Sequence, residues 1–178
     1  MGTIKATNIE PIADNGTVTL GSSGDTLTVP SGVTVAGAMA NTPAFRAVNS
    51  SNQTVSTATW TKINFDTVEF STGTYDTSNS RWTPGIAGKY LIHYHMLIGT
   101  MSDSNTLLGR IALSGSGTNV FLGKNMLSAA DSHFFMATAF MTLTATDYVE
   151  AQGWQNGGSN KDTNKDYGVF YAHRIIGA

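Results

Sequence analysis

The chain contains no cysteine, so neither a disulfide framework nor a thiolate metal site is available to it. Charge is scarce as well. Asp, Glu, Lys and Arg make up 12% of the residues, against about 25% in an average soluble domain. The net charge of -2 leaves no basic field for nucleic acid to follow, which argues against a nucleic-acid partner. No stretch approaches the ~20 apolar residues of a membrane helix, and residues 1–16 lack the apolar run of a secretory signal, so membrane insertion is not expected. Helix-forming runs of Ala, Glu, Lys and Leu are equally hard to find.

What fills the 178 residues instead is Gly, Ser, Thr and Asn among β-branched and aromatic residues, the composition of an all-β chain. Residues 1–42 differ from the rest. In "GTVTLGSSGDTLTVPSGVTVAG" three short strand candidates, 17–20, 26–29 and 33–35, are cut apart by Gly, Ser and Pro turns. Each carries only one or two apolar side chains, too few for a core of its own. Such units need stacked neighbours, so the segment reads as a short β-repeat arm or shaft with a linker. From residue 43 to 178 short strands and turns alternate at the spacing of a sandwich: 44–48, 59–65, 89–98, 106–114, 119–126, 134–143, 148–154 and 168–176. The expected architecture is a two-sheet antiparallel jelly roll.

Several of these strands are apolar on both faces. In "KYLIHYHMLIG", Tyr90, Ile92, Tyr94, Met96 and Ile98 form one side, while Leu91, His93, His95 and Leu97 form the other. In "HFFMATAFMTL" the sets are Phe134, Met136 and Phe140 against Phe135, Ala137, Ala139, Met141 and Leu143. Tyr171 belongs to a third such strand. A lone sandwich has too little interior to hide all of this, so a further layer is expected from other copies of the chain. The expected subunit contact comprises Leu91, His93, His95, Leu97, Phe135, Met141, Leu143 and Tyr171.

The residues then resemble a known group, the globular heads of complement-C1q-like and tumour-necrosis-factor-like proteins. The series runs through Ala44-Phe45, Ile63-Asn64-Phe65-Asp66 and Gly73-Thr74-Tyr75-Asp76. It continues with Trp82 at an aromatic position, then Pro84, Gly88 and Tyr90, Tyr94-His95, and "LTATDYVEAQGW". Thr146 stands where the group has Gly, and Ala172-His173 where it has Gly-Phe. The resemblance implies a ten-stranded jelly roll assembled as a tight trimer around a threefold axis. The arm resembles shaft repeats of bacteriophage tail fibres, which implies a virion appendage whose arm meets other virion proteins and whose head meets a host surface molecule.

Chemistry is thinly signalled. No nucleophile elbow or triad context is present, and no evident acid/base carboxylate pair, so an enzyme is not expected. His93 and His95, two apart on one face, could present two imidazoles to a metal, with a third ligand from His133, His173 or a carboxylate. Lacking a third ligand at any telling spacing, the pair reads first as histidines hydrogen-bonded across subunits. Asp162, Asn164 and Asp166 alternate like the opening of a calcium loop, but Gly168 comes one residue late and His173 stands where a bidentate Glu belongs. Calcium is therefore a minor expectation beside a solvated loop, and no other cofactor is expected. For a glycan or protein receptor the expected contacts are Asn79 and Trp82 on one loop and Trp154, Asn156 and Asn160 on another. Aromatic faces stack on sugars and amides bond their hydroxyls. Two alternatives remain open: a decoration or cement protein that only stabilises a capsid or tail, and a secreted C1q-like lectin.

Overall fold

The computed structural model describes residues 19, 22–33, 42–102, 104–114, 123–126 (backbone only) and 130–175. The chain divides into two compact units, Met1–Val35 and Ala36–Ala178.

In the first unit two turns recur eight residues apart. Asp25 N–H donates to Ser22 O at 3.0 Å, and Val33 N–H to Pro30 O at 3.3 Å. Gly24 and Gly32 hold the same place in each turn at φ 94° and 87°, a left-handed conformation that favours glycine. The strand expected at 26–29 is not formed, because extended backbone without a pairing partner has no ladder to join. Leu27, Val29 and Val33 are exposed. The candidate at 17–20, and 33–35 beyond Val33, lie outside the described residues.

In the second unit the described residues form twelve strands and no helix: β1 (Ala44–Val48), β2 (Thr54–Val55), β3 (Thr61–Lys62), β4 (Thr67–Ser71), β5 (Thr74–Asp76), β6 (Arg81–Thr83), β7 (Gly88–Met101), β8 (Thr106–Leu113), β9 (Gly123–Met126), β10 (Asp131–Leu143), β11 (Val149–Gln155) and β12 (Lys161–Arg174). They pair antiparallel into two sheets. The first runs β10-β7-β12-β1-β4, with β2 added beside β12. The second runs β5-β6-β11-β8-β9, with β3 added beside β11. The architecture is the two-sheet jelly roll the sequence implies.

Between the sheets lies one aromatic-rich core. Phe45, Phe65, Trp82, Tyr90, Tyr94, Phe135 and Phe170 are fully buried. Phe45 is the hub, with ring centroids 4.8 Å from Trp82, 4.8 Å from Phe170 and 5.3 Å from Tyr75. Each buried ring of this kind stabilises the fold by about 1.5–3 kcal/mol. The polar ends of the large side chains all find acceptors. Tyr94 on β7 donates across the core to Gln152 O on β11, Tyr75 to Phe65 O at 2.7 Å, and the Trp82 indole to Thr72 O at 3.1 Å. Burial pushes the Tyr75 and Tyr94 phenols above their ordinary range, so both remain donors.

Of the strand expected at 59–65 only Thr61–Lys62 is paired, as β3, and residues 119–122 of the one expected at 119–126 lie outside the described residues. β12 departs from expectation at its start. The solvated loop expected around 162–166 belongs to β12, which begins at Lys161 paired with Val55. A register shift between Asn164 and Gly168 lets the strand take up the polar run before it rejoins β7.

Candidate functional site

The outward face of the first sheet is built around β7, which lies between β10 and β12. Strand alternation turns Tyr90, Ile92, Tyr94, Met96 and Ile98 into the core, as expected, and leaves Leu91, His93, His95 and Leu97 half-buried on the other side. Register then sets their neighbours. Thr138 and Tyr171 flank His93, Met136 and Val169 flank His95, and Phe140 and His173 flank Leu91. Beyond Tyr171 come Arg46 on β1 and Phe70 on β4. Arg46 is salt-bridged to Glu69.

At the centre the two imidazoles touch. Nε2 of His93 is 3.2 Å from Nδ1 of His95, and Nδ1 of His93 is 2.7 Å from Thr138 Oγ1. The Tyr171 ring lies 5.1 Å from that of His93, and the Phe134 ring 5.7 Å from that of His95. His93, His95, Phe134 and Met136 line a shallow, mostly apolar hollow, and a second hollow opens between Arg46, Phe70, Tyr171 and His173. Burial holds both imidazoles below their ordinary pKa. His95 adds to the effect on His93, and the Arg46 charge adds to it on His95.

The structure redistributes the expected contact residues. Leu91, His93, His95, Leu97 and Tyr171 do share the outward face. Phe135, Met141 and Leu143 do not: they are 1%, 7% and 1% exposed and belong to the core. The face of β10 that looks outward carries Met136, 42% exposed, and Phe140, 68% exposed, joined across the sheet by Phe70 at 54%. Alanine and glycine are the signal that separates the two faces. Ala137 and Ala139 alternate with Phe135 and Met141 on the inner side, where the second sheet comes close enough that a Cβ on Gly109 would lie 2.4 Å from Met136 O.

The expected receptor contacts fare unevenly. Trp82 is a core residue with no exposed surface, because Phe45 and Tyr90 enclose its ring. Trp154 is half-buried on the outer side of the second sheet, opposite Leu108. Asn79, Asn156 and Asn160 are exposed, but each already serves the backbone or a turn. Asn79 donates its backbone N–H and its Nδ2–H to the Asp76 carboxylate at 3.0 and 2.8 Å, Asn156 Oδ1 accepts from Thr106 N–H at 2.6 Å, and Asn160 Oδ1 accepts from Thr57 N–H at 3.3 Å. Sequence reading missed Trp60, whose ring carries the Arg110 guanidinium at 4.0 Å on the second sheet.

Each calcium candidate has a protein partner. Asp162 accepts from Thr54 Oγ1 at 2.6 Å, Asn164 accepts from Asp166 N–H at 3.1 Å, and Asp166 pairs with Lys165 at 2.7 Å. Among the described residues no group of three or more His, Cys, Asp or Glu side chains is placed to hold a metal ion.

No family model and no curated protein matches the sequence. Solved structures do match the fold. The Eiger TNF of S. frugiperda superposes with a TM-score of 0.57 at 11% identity, over 77% of this chain and 96% of that one. The globular domain of zebrafish complement 1qA gives 0.56 at 16% identity, over 75% and 98%. Murine APRIL gives 0.57 at 10% identity, over 75% and 98%. The unit of two sheets is therefore a C1q/TNF-like jelly roll, which defines its fold and leaves its function to be argued from its surfaces.

Proposed function

We propose that the chain is a non-enzymatic, homotrimeric head of a virion appendage. In this reading its arm joins other virion proteins and its head contacts a host surface glycan or protein. The observation that carries it is the uncovered face of the first sheet. Phe70, Met136 and Phe140 stand exposed around half-buried Leu91, Leu97 and Tyr171, with few charges among them. An apolar patch of this extent marks a contact surface. Among the described residues of the second unit no helix is available to cover it, and another copy of the same nearly neutral face is its natural complement. The C1q/TNF-like fold of the neighbours supports a threefold arrangement.

The arm supports the appendage part of the reading. Turns eight residues apart, with Leu27 and Val29 exposed between them and Val33 exposed at the end of the second, suit a β-repeat whose apolar side chains are covered by further copies. Sedimentation of the full chain at micromolar concentration tests the trimer directly: three times the 18.8 kDa of one chain is expected, and a single stable copy would overturn it. Electron microscopy of intact particles bearing the labelled chain tests the virion assignment.

One observation favours a second reading, a decoration or cement protein with a stabilising role alone. Trp82 is in the core and the exposed Asn79, Asn156 and Asn160 each give one amide atom to a turn or the backbone, which leaves Trp154 as the aromatic contact among the expected receptor residues. Particles lacking the chain would then adsorb normally and lose stability.

A further inference from the structure

His93 and His95 are arranged as more than a polar break in an apolar face. Two nitrogens bound to one Zn2+ at about 2.0–2.1 Å each stand about 3.4 Å apart in a tetrahedron and about 3.0 Å apart in an octahedron. The facing nitrogens here, Nε2 of His93 and Nδ1 of His95, are 3.2 Å apart. They already span one edge of such a polyhedron. The far side of the His93 ring is fixed as well. In the tautomer that donates Nδ1–H to Thr138 Oγ1, 2.7 Å away, the Nε2 lone pair is left facing His95. Ligand histidines are commonly held in this way, by a hydrogen bond from the nitrogen that does not bind the metal.

We propose that His93 and His95 form a chelating pair for a divalent first-row transition ion, Zn2+ foremost, on the outward face of the first sheet, completed by imidazoles of other copies or by water. Completion by other copies rests on the trimer proposed above; the two-nitrogen chelate does not. Among the described residues of one chain, no group of three or more His, Cys, Asp or Glu includes the pair. The register neighbours of the pair are Thr138 and Met136 on β10 and Tyr171 and Val169 on β12, none of which offers an imidazole or a carboxylate. Around a threefold axis the same pair recurs in every subunit. Arg46 on β1 pairs in register with Tyr171, the neighbour of His93, and its charge is felt at His95; its pairing with Glu69 offsets the repulsion it would exert on the metal.

The test is calorimetric titration of the chelator-treated full chain with zinc chloride in a non-coordinating buffer, alongside sedimentation of the same sample. Wild type is expected to bind with a Kd of about micromolar or tighter. His93→Gln and His95→Gln are each expected to weaken binding by roughly tenfold or more while keeping the far-ultraviolet circular dichroism of the parent. Co2+ in place of Zn2+ should give visible d–d absorption that both variants lose. Thr138→Val should weaken binding and Thr138→Ser should restore it, a pattern that simple loss of packing would not produce. Failure of wild type to bind, or binding by both histidine variants as tight as that of wild type, overturns the proposal. A trimer that binds no zinc removes the metal site and leaves the trimer standing. A single sedimenting copy whose zinc binding is lost in the histidine variants does the reverse.

Discussion

The Trp82 ring lies 4.8 Å from that of Phe45, tilted by 33°, while its indole N–H donates to the Thr72 carbonyl at 3.1 Å. This contact joins β6 of one sheet to β1 of the other, and the hydrogen bond fixes the loop between β4 and β5. Trp82→Ala removes both and is expected to cost about 3–5 kcal/mol in denaturant unfolding. Trp82→Phe keeps the ring, loses the donor, and should cost less. A variant as stable as the parent that fails only in adsorption to cells would return Trp82 to the surface role that its burial denies.

Two phenylalanines on opposite faces of β10 should behave as opposites. Phe140 is 68% exposed and Phe135 1% exposed. Phe140→Asp is therefore expected to leave the circular dichroism and the unfolding midpoint of one copy nearly unchanged, while dissociating the trimer proposed above to single copies in sedimentation at micromolar concentration. Phe135→Ala should instead cost about 3–5 kcal/mol of stability. Sedimentation of Phe140→Asp that is indistinguishable from the parent would place the subunit contact elsewhere.

The two sheets meet most tightly where Gly109 on β8 faces β10. A methyl group there would lie 2.4 Å from Met136 O and 2.7 Å from the Tyr94 hydroxyl, and the first of these is backbone that cannot swing aside. Gly109→Ala is expected to lower stability by about 1–3 kcal/mol through overpacking. Unfolding at the parental denaturant midpoint would show that the sheets can separate there at little cost.

How much of this was legible in the sequence depended on whether the two faces of a strand differ in chemistry. β7 was readable because its inner set is wholly apolar and its outer set is broken by two imidazoles. On β10 both sets are apolar, so alternation named the faces without saying which one is the core. Ala137 and Ala139, whose small side chains suit the close approach of the second sheet, mark the inner side. The short strands β4, β5 and β6 went unnoticed because "TVEFS", "TYD" and "RWT" carry too few apolar residues to show a period. The start of β12 was hidden by a register shift that lets Asn164, Lys165 and Asp166 pass without burial. The 3.2 Å approach of the histidines could be read only from coordinates, because i, i+2 spacing fixes a shared face and leaves ring orientation open.

The turn entering β11 ties folding to pH through Asp147. Its carboxylate accepts the Thr144 backbone N–H at 2.7 Å and the Ser114 hydroxyl at 3.3 Å. The backbone hydrogen bond from Thr144, followed by that from the Thr144 side chain, holds its pKa below the ordinary aspartate range. A carboxyl with a lower pKa in the folded than in the unfolded chain binds fewer protons when folded. Its stabilisation is therefore complete above the unfolded pKa and is lost as pH falls through the folded one. Asp147→Ala should consequently melt below the parent at pH 7, with the difference in Tm constant down to about pH 5 and closing below about pH 4. The carboxylate is largely solvent-exposed, so the difference should be small and should also shrink in high salt. A gap of the same size at pH 7 and pH 2.5 would mean that the turn depends on the size and shape of the side chain rather than on its charge.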